Sequence, residues 1–294
     1  MNSGHAIVRA LFFAALVVGG LSWCVQCQFL GASEFEDCND LAIPEDMRCI
    51  PGGPFVRGSE RASPQEDHPE QIVHDEAPVA RIVVSTFLMD RDEVTYGQYQ
   101  QCVQAGACRR TGPNYSGYSA ADQPMLGANW FDARDYCRYR GRRLPTEAEW
   151  EKAARGTEGE LFPWGNEPAT CERAIIKEGE AKGCGRGVTW PVGSRPGARY
   201  GLNDMAGNSW EWVLDWYSES YGVCGTACSG RDPRGPCGGA EECPGHDHRI
   251  VRGGSWWWGS DLALGSNRRP HFPANQPFHH FGFRCARDAR PAVE

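Results

Sequence analysis

RLPTEAEWEKAARG (Arg143–Gly156) is the stretch on which the fold turns. Thr146 and Glu149 stand at capping-box spacing: the hydroxyl accepts the N3 amide and the carboxylate returns to the cap amide, which predicts a helix that stops at Gly156. Upstream, Trp130, Ala133 and Cys137 fall on one face at three- and four-residue spacing and predict a helix over Trp130 to Arg140. Thr95 and Gln98 form another capping box, opening a helix from Tyr96 to about Gln104 that ends at Gly106. Before it, RIVVSTFLMDRDEV (Arg81–Val94) holds the strongest β-branched run of the chain, and RCIPGGPFVRGS (Arg48–Ser59) reads as strand, turn, strand. The charged, proline-containing segment Glu60–Glu76 reads as a surface loop. From Leu161 onward Gly, Pro, Trp and Asn dominate, which predicts loops pinned by short strands. There is no internal repeat and no linker that would divide the chain into two folded domains.

The 294 residues are 40% hydrophobic and 11% aromatic, enough for one sizeable core. A net charge of -8 argues against nucleic acid, whose binding rests on clustered Lys and Arg. Ala6 to Leu21 is an apolar run short for a membrane span and suited to a signal-peptide core, so residues 1–27 read as an export or lipoprotein signal. Leu21-Ser22-Trp23-Cys24 resembles a lipoprotein box with Trp23 where a small residue belongs. Lipidation of Cys24 and simple cleavage both stand as alternatives, and a lipid anchor or uncleaved signal is the membrane attachment considered. Residues 28–46 form an acidic lead-in, 47–288 the folded domain and 289–294 a tail. The implied location is secreted, periplasmic or cell-envelope. Setting Cys24 and Cys27 aside leaves 12 of the 14 cysteines, an even number for an exported chain. Cys102 with Cys108 and Cys171 with Cys184 are natural local pairs. Cys224, Cys228, Cys237 and Cys243 can pair in three ways, or hold zinc with His246 or His248.

RLPTEAEWEKAARG is followed by FPWGNE (Phe162–Glu167), GLNDMAGNSWEW (Gly201–Trp212), RIVRGGSW (Arg249–Trp256) and FGFRCAR (Phe281–Arg287). In this order the segments resemble the formylglycine-generating-enzyme, or sulfatase-modifying-factor, family, whose enzymes convert a sulfatase cysteine to formylglycine. The resemblance spans Met47 to Asp288 and implies an α+β fold of low regular structure, related to C-type lectins. It also implies a disulfide across the fold between Cys137 and Cys285.

In DMAGNSWE (Asp204–Glu211) two carboxylates flank a Gly-Asn turn, bringing together the hard oxygen donors that Ca2+ takes. The resemblance implies a structural calcium held by Asp204, Gly207, Ser209 and Glu211. The bland alternative is an Asx turn with a capping Glu. A second family calcium site starts from an Ala-Asn step; here Ala174 is followed by Ile175, so that site is not expected, and a Cys171–Cys184 staple is expected instead.

The departure from the family lies after Gly253-Gly254-Ser255. Two redox cysteines that bind copper(I) in the family enzymes fall on Trp258 and Ala263, neither of which offers a thiolate, so copper is not expected. Of the pocket positions, Ser255 and Trp210 are kept and an asparagine becomes His280. Two readings follow. One is a non-catalytic binding or scaffold module, with Trp256, Trp257 and Trp258 beside a groove that takes peptide or glycan. The other is an oxidoreductase using different residues, with His271, His279 and His280 as candidate metal ligands and His246 with His248 as a separate pair. Arg143 and Arg269 read as internal ion-pair formers.

Overall fold

The computed structural model describes residues 35–64, 72–274 and 279–289. In chain order the elements are β1 (Met47–Ile50), β2 (Gly53–Arg57), β3 (Ser63–Pro64), β4 (Ile72–Val73), β5 (Ala80–Val84), β6 (Phe87–Asp90), α1 (Tyr96–Gln104), α2 (Trp130–Tyr139) and α3 (Glu147–Arg155). Then follow β7 (Trp210–Trp216), α4 (Tyr221–Cys224), β8 (Arg249–Arg252), β9 (Arg269–His271), β10 (Phe281–Phe283) and β11 (Ala286–Asp288). The three long helices start on reciprocal caps: Thr95 with Gln98, Asn129 with Asp132, and Thr146 with Glu149. Gly156, at φ +69°, takes the chain out of α3 through a conformation that disfavours a side chain.

The strands divide differently from a simple hairpin reading. β1 and β2 are separated only by Pro51 and Gly52, yet β1 pairs with β6 and β2 with β5, both antiparallel. The β-branched run breaks at Ser85-Thr86, so β5 and β6 also enter different sheets. β11 closes the first sheet in the order β1-β6-β11, and a four-stranded sheet runs β10-β7-β8-β9 with β10 parallel to β7. The fold is α+β with long connections, of the formylglycine-generating-enzyme, C-type-lectin-like type that the sequence implies.

Helix α3 is buried along its whole length, including Glu147, Glu151, Lys152 and Arg155. Lys152 donates to the Gly53 carbonyl at 3.0 Å, and the other charges survive burial because they are paired. Arg252 on β8 reaches Glu151 at 2.7 Å, Arg155 reaches Glu151 at 2.5 Å, and Arg268 reaches Glu147 at 2.8 Å. Tyr221 and the Gly58 amide complete the shell of Glu151. Arg143 pairs with Glu149 at 2.6 Å, while Arg269 lies over the rings of Trp210 and Phe281.

Six disulfides bind the described cysteines: Cys38–Cys49, Cys102–Cys108, Cys137–Cys285, Cys171–Cys184, Cys224–Cys228 and Cys237–Cys243. The last two resolve the pairing left open by spacing. They also correct the zinc alternative, since sulfurs bonded to each other are not thiolate ligands. From residue 35 the acidic lead-in is tied to the domain through Cys38–Cys49 and through Asp46, which pairs with Arg140 and Arg142. Cys24, Cys27, the export segment and the last five residues lie outside the described residues.

Candidate functional site

The site is assembled where β7 leaves the Asp204–Ser209 turn. Asp204 at φ +53°, Gly207 at +78° and Asn208 at +59° coil the backbone through left-handed positions that suit Gly, Asn and Asp. The turn is bolted at both ends. Gly207 N–H donates to Gly253 at 2.8 Å, Asn208 N–H to the carbonyl of Ile175 at 2.8 Å, and Trp256 N–H to the carbonyl of Asn208 at 3.1 Å. The Gly253–Trp258 segment is thereby fixed on the turn.

Around this turn lie three carboxylates, Glu93 and Glu211 buried and Asp204 half-buried. Glu211 accepts Arg284 Nη2 at 2.6 Å on one oxygen, and Arg284 Nε at 2.7 Å and Trp150 Nε1 at 2.8 Å on the other. Asp204 accepts the Gly193 amide at 2.6 Å. The third, Glu93, accepts Ser209 N–H at 3.0 Å and its hydroxyl at 2.5 Å, and Asn208 Nδ2 at 2.6 Å. Burial, then the charges of Asp204 and Glu211, push Glu93 well above the usual carboxylate range. Burial likewise lifts Asp204 to about 6, against the opposing pull of the Gly193 amide and Arg284.

Sequence reading missed Glu93. It lies 115 residues from Asn208, and its only local signal is an acid placed at the end of the β-branched run, just before a capping box. Its role depends on the long-range contact.

The donor set suits a hard cation. Among the described residues, the carbonyls of Gly207 and Ser209 receive no hydrogen bond, Asp204 accepts only the Gly193 amide, and Arg284 pairs with Glu211 while feeling the charges of Glu93 and Asp204. Oxygen donors of this kind, carboxylate and main-chain carbonyl together, are what Ca2+ takes. Ile175, which follows Ala174, offers its carbonyl to the Asn208 amide, and the expected Cys171–Cys184 bond closes the loop.

The pocket positions named from sequence are filled rather than open. Trp210 and Ala263 are fully buried, Ser255 is 1% exposed and His280 9%. Ala263 packs with Phe162, Ala174, Ile176 and Ala206, whereas Trp258 is half-buried beside the cluster containing Trp210 and Leu262. The indole N–H groups of Trp210 and Trp258 are buried with no partner among the described residues. Of the three consecutive tryptophans, Trp256 is buried, donating to the carbonyl of His279 at 3.1 Å, and Trp257 and Trp258 are half-buried.

The histidines are brought near one another, with ring centres of His279 and His280 5.0 Å apart and His271 4.4 Å from Phe281. Burial first, then the Arg269 charge, hold His271 at about 3 and His280 at about 2, so both imidazoles are neutral. Among the described residues no three His, Cys, Asp or Glu converge as a metal-holding group. His246 and His248 are engaged separately, His246 with the carbonyl of Tyr217 and His248 with Asp247.

With this geometry in view, the relationships are clear. The chain belongs to the family of the sulfatase-modifying factor enzyme 1-like domain, whose model matches residues 33–289. The formylglycine-generating enzyme of Bos taurus is 30% identical over 308 residues, covering 85% of this chain and 76% of that protein. That of Thermomonospora curvata is 31% identical over 301 residues, covering 84% and 94%. The protein named inactive C-alpha-formylglycine-generating enzyme 2 of Bos taurus is 36% identical over 186 residues, covering 58% and 52%. Among solved structures, PvdO from Pseudomonas aeruginosa shares the fold at a TM-score of 0.66 and 24% identity, covering 86% of this chain and 99% of its own. Treponema denticola variable protein 1 does so at 0.62 and 22%, covering 82% and 94%.

Proposed function

We propose that this chain is an extracytoplasmic, calcium-stabilised binding module on the formylglycine-generating-enzyme fold, and that it does not itself generate formylglycine. The observation that carries this reading is the chemistry left at the two positions matched to the family's redox cysteines, Trp258 and Ala263. Neither residue can form a mixed disulfide or bind copper(I), and the twelve cysteines among the described residues are all bonded to each other. The buried Ala263 and half-buried Trp258 occupy space with carbon where the enzymes present sulfur. Export is supported by the apolar run Ala6–Leu21 and by six disulfides, which persist in oxidising compartments.

Asp204, the carbonyls of Gly207 and Ser209, and Glu211 would hold the calcium. Bound there, the ion supplies charge neutralisation and no redox chemistry. The residues of the chain do the positioning: Glu93 fixes the Asn208-Ser209 backbone, and Arg284 orients Glu211. Chelation by EDTA should lower the melting temperature and added Ca2+ should restore it, by the mass-action linkage of a ligand that binds only the folded state. An Asp204→Ala variant should melt at the chelated temperature with or without calcium.

Catalysis is tested by mass spectrometry of a peptide carrying the Cys-x-Pro-x-Arg sulfatase motif, incubated with purified protein, copper and oxygen beside an active relative. No aldehyde should form while the control converts its peptide. Conversion would mean that Trp258 and Ala263 are not the positions that matter and would overturn the reading.

A further inference from the structure

The twenty residues from Ala181 to Tyr200 carry Lys182, Arg186, Arg195 and Arg199 and no acid, in a chain of net charge -8. Arg199 pairs with Glu160. The other three do something else: each lies on an indole. Lys182 Nζ is 3.0 Å from the ring centre of Trp257, and the guanidinium carbons of Arg186 and Arg195 are 4.8 and 4.4 Å from Trp190. None of the three forms an ion pair among the described residues. Arg195 donates only to the carbonyls of Cys171 and Ser194, and Arg186 has no side-chain hydrogen bond there.

The segments carrying the two stacks are linked by hydrogen bonds at Gly183. Its amide donates to the carbonyl of Trp256, the residue before Trp257, at 2.6 Å, and its carbonyl accepts Trp190 Nε1 at 2.8 Å. The next residue, Cys184, is bonded to Cys171, whose carbonyl accepts Arg195. Trp190 and Trp257 both pack on the cluster of Tyr118, Leu126, Ile175 and Trp256. Beyond Trp257, His279 stands 5.7 Å away and is flanked by Tyr115, which is 56% exposed. The result is one face of rings and cations, immediately beside the segment that bears Trp258.

A cation laid on an indole keeps its outward N–H groups unspent and loses rotamer freedom in advance, which suits it to anions. From this geometry we propose that the Lys182–Trp257 and Arg186–Trp190–Arg195 stacks form a binding face for acidic glycans bearing carboxylate or sulfate groups. The inference rests on the binding-module reading and gives it a ligand class. An acidic peptide would meet the same cations, as acidic motifs do at Arg clusters, but residues 171–200 contain no strand to which its main chain could add. Sugar rings need none, since their C–H faces pack on aromatic rings while their anionic substituents meet the guanidinium and ammonium groups.

Calorimetry on the purified full chain tests this with four probes: a heparin oligosaccharide, an oligogalacturonate, neutral cellohexaose and polyglutamate. At least one anionic glycan should bind, more weakly as salt rises, with polyglutamate and cellohexaose much weaker. A Lys182→Gln/Arg186→Gln double variant should lose at least tenfold in affinity at an unchanged melting temperature, while Arg81→Gln, on β5, should bind as the parent does. Equal binding of polyglutamate would make the face a peptide site, and equal binding of cellohexaose would remove charge from its recognition; either overturns the proposal. So would equal loss in the Arg81 variant, or no binding of either anionic glycan. These failures are distinct from failure of the binding-module reading itself, which would be registered by aldehyde formation in the sulfatase-peptide assay.

Discussion

Two sets of cations in this molecule are handled in opposite ways. Around α3, Arg252, Arg155, Arg268 and Arg284 are buried and each is met by a carboxylate at 2.5–2.8 Å. Along Ala181–Tyr200, Lys182, Arg186 and Arg195 lie on indoles at half-buried or exposed positions, with no ion pair among the described residues. The first arrangement follows from desolvation: a charge removed from water is tolerable only when paired and fully hydrogen-bonded. The second keeps water on one side of each cation and lets the ring cover the other. The buried web therefore fixes the scaffold, its guanidinium groups committed to carboxylates, whereas the cations of the outer face form no ion pair among the described residues.

The comparison is broken most severely by removing a shared carboxylate from the web. Glu151 serves Arg252, Arg155, the Gly58 amide and Tyr221 together. Glu151→Ala leaves two guanidinium groups buried with their partner gone, and should cost about 3–5 kcal/mol, read as a lowered urea midpoint or as failure to recover folded protein. An unchanged midpoint would show that water reaches α3 and that the web is not a sealed scaffold. The Cys137–Cys285 bond, spanning 148 residues, comes next. A Cys137→Ala/Cys285→Ala variant should lose about 2–4 kcal/mol in chemical denaturation, with the chain-entropy account of disulfides as the reason.

Asp215 sharpens the comparison from the acid side. It is buried on β7 next to α3, accepting the Glu147 amide at 2.8 Å. Burial first, and then the Glu147 charge, lift it to about 7. Since the folded group holds a proton that the unfolded chain has released from about pH 4 upward, its contribution is full below that pH and is lost as pH rises through 7. The slope is at most about 1.4 kcal/mol per pH unit. Asp215→Asn keeps an acceptor and cannot ionise, so stability measured between pH 4 and 8 should lose that component of its slope. A parallel pH profile in parent and variant would place the ionised carboxylate in the folded state.

These two regions were unequally legible in the sequence. The α3 region was readable because local signals coincide: a capping box, a terminating glycine and the RLPTEAEWEKAARG pattern all specify the same helix. α2 was readable from its apolar face, although its Asn129-Asp132 box is a variant of the usual Ser/Thr-to-Glu/Gln form. The strand pattern gave the positions of β1, β2, β5 and β6 but not their partners, because adjacent strands are sent to different sheets. Glu93 was invisible for the same reason, as its burial is decided by a turn more than a hundred residues later. The basic-aromatic face was half visible. Its acid-free run is plain in Ala181–Tyr200, but the stacking of Lys182 on Trp257 joins residues that no local spacing connects.

The smallest expected effect is the most discriminating. Arg186 is exposed, stacks on Trp190 and makes no other side-chain contact among the described residues, so Arg186→Gln removes one cation–π contact worth about 0.5–1 kcal/mol at an exposed site. Relief of repulsion from Arg195, which shares the same indole, offsets part of this loss. The melting transition should therefore move by no more than about 0.5 kcal/mol equivalent, the range of ordinary surface substitutions. A loss near that of Glu151→Ala would mean that the stack clamps the Cys171–Cys184 loop and belongs to the scaffold. A null effect on stability would show that the Arg186–Trp190 contact is not part of what holds the Cys171–Cys184 loop, as the binding-face proposal requires.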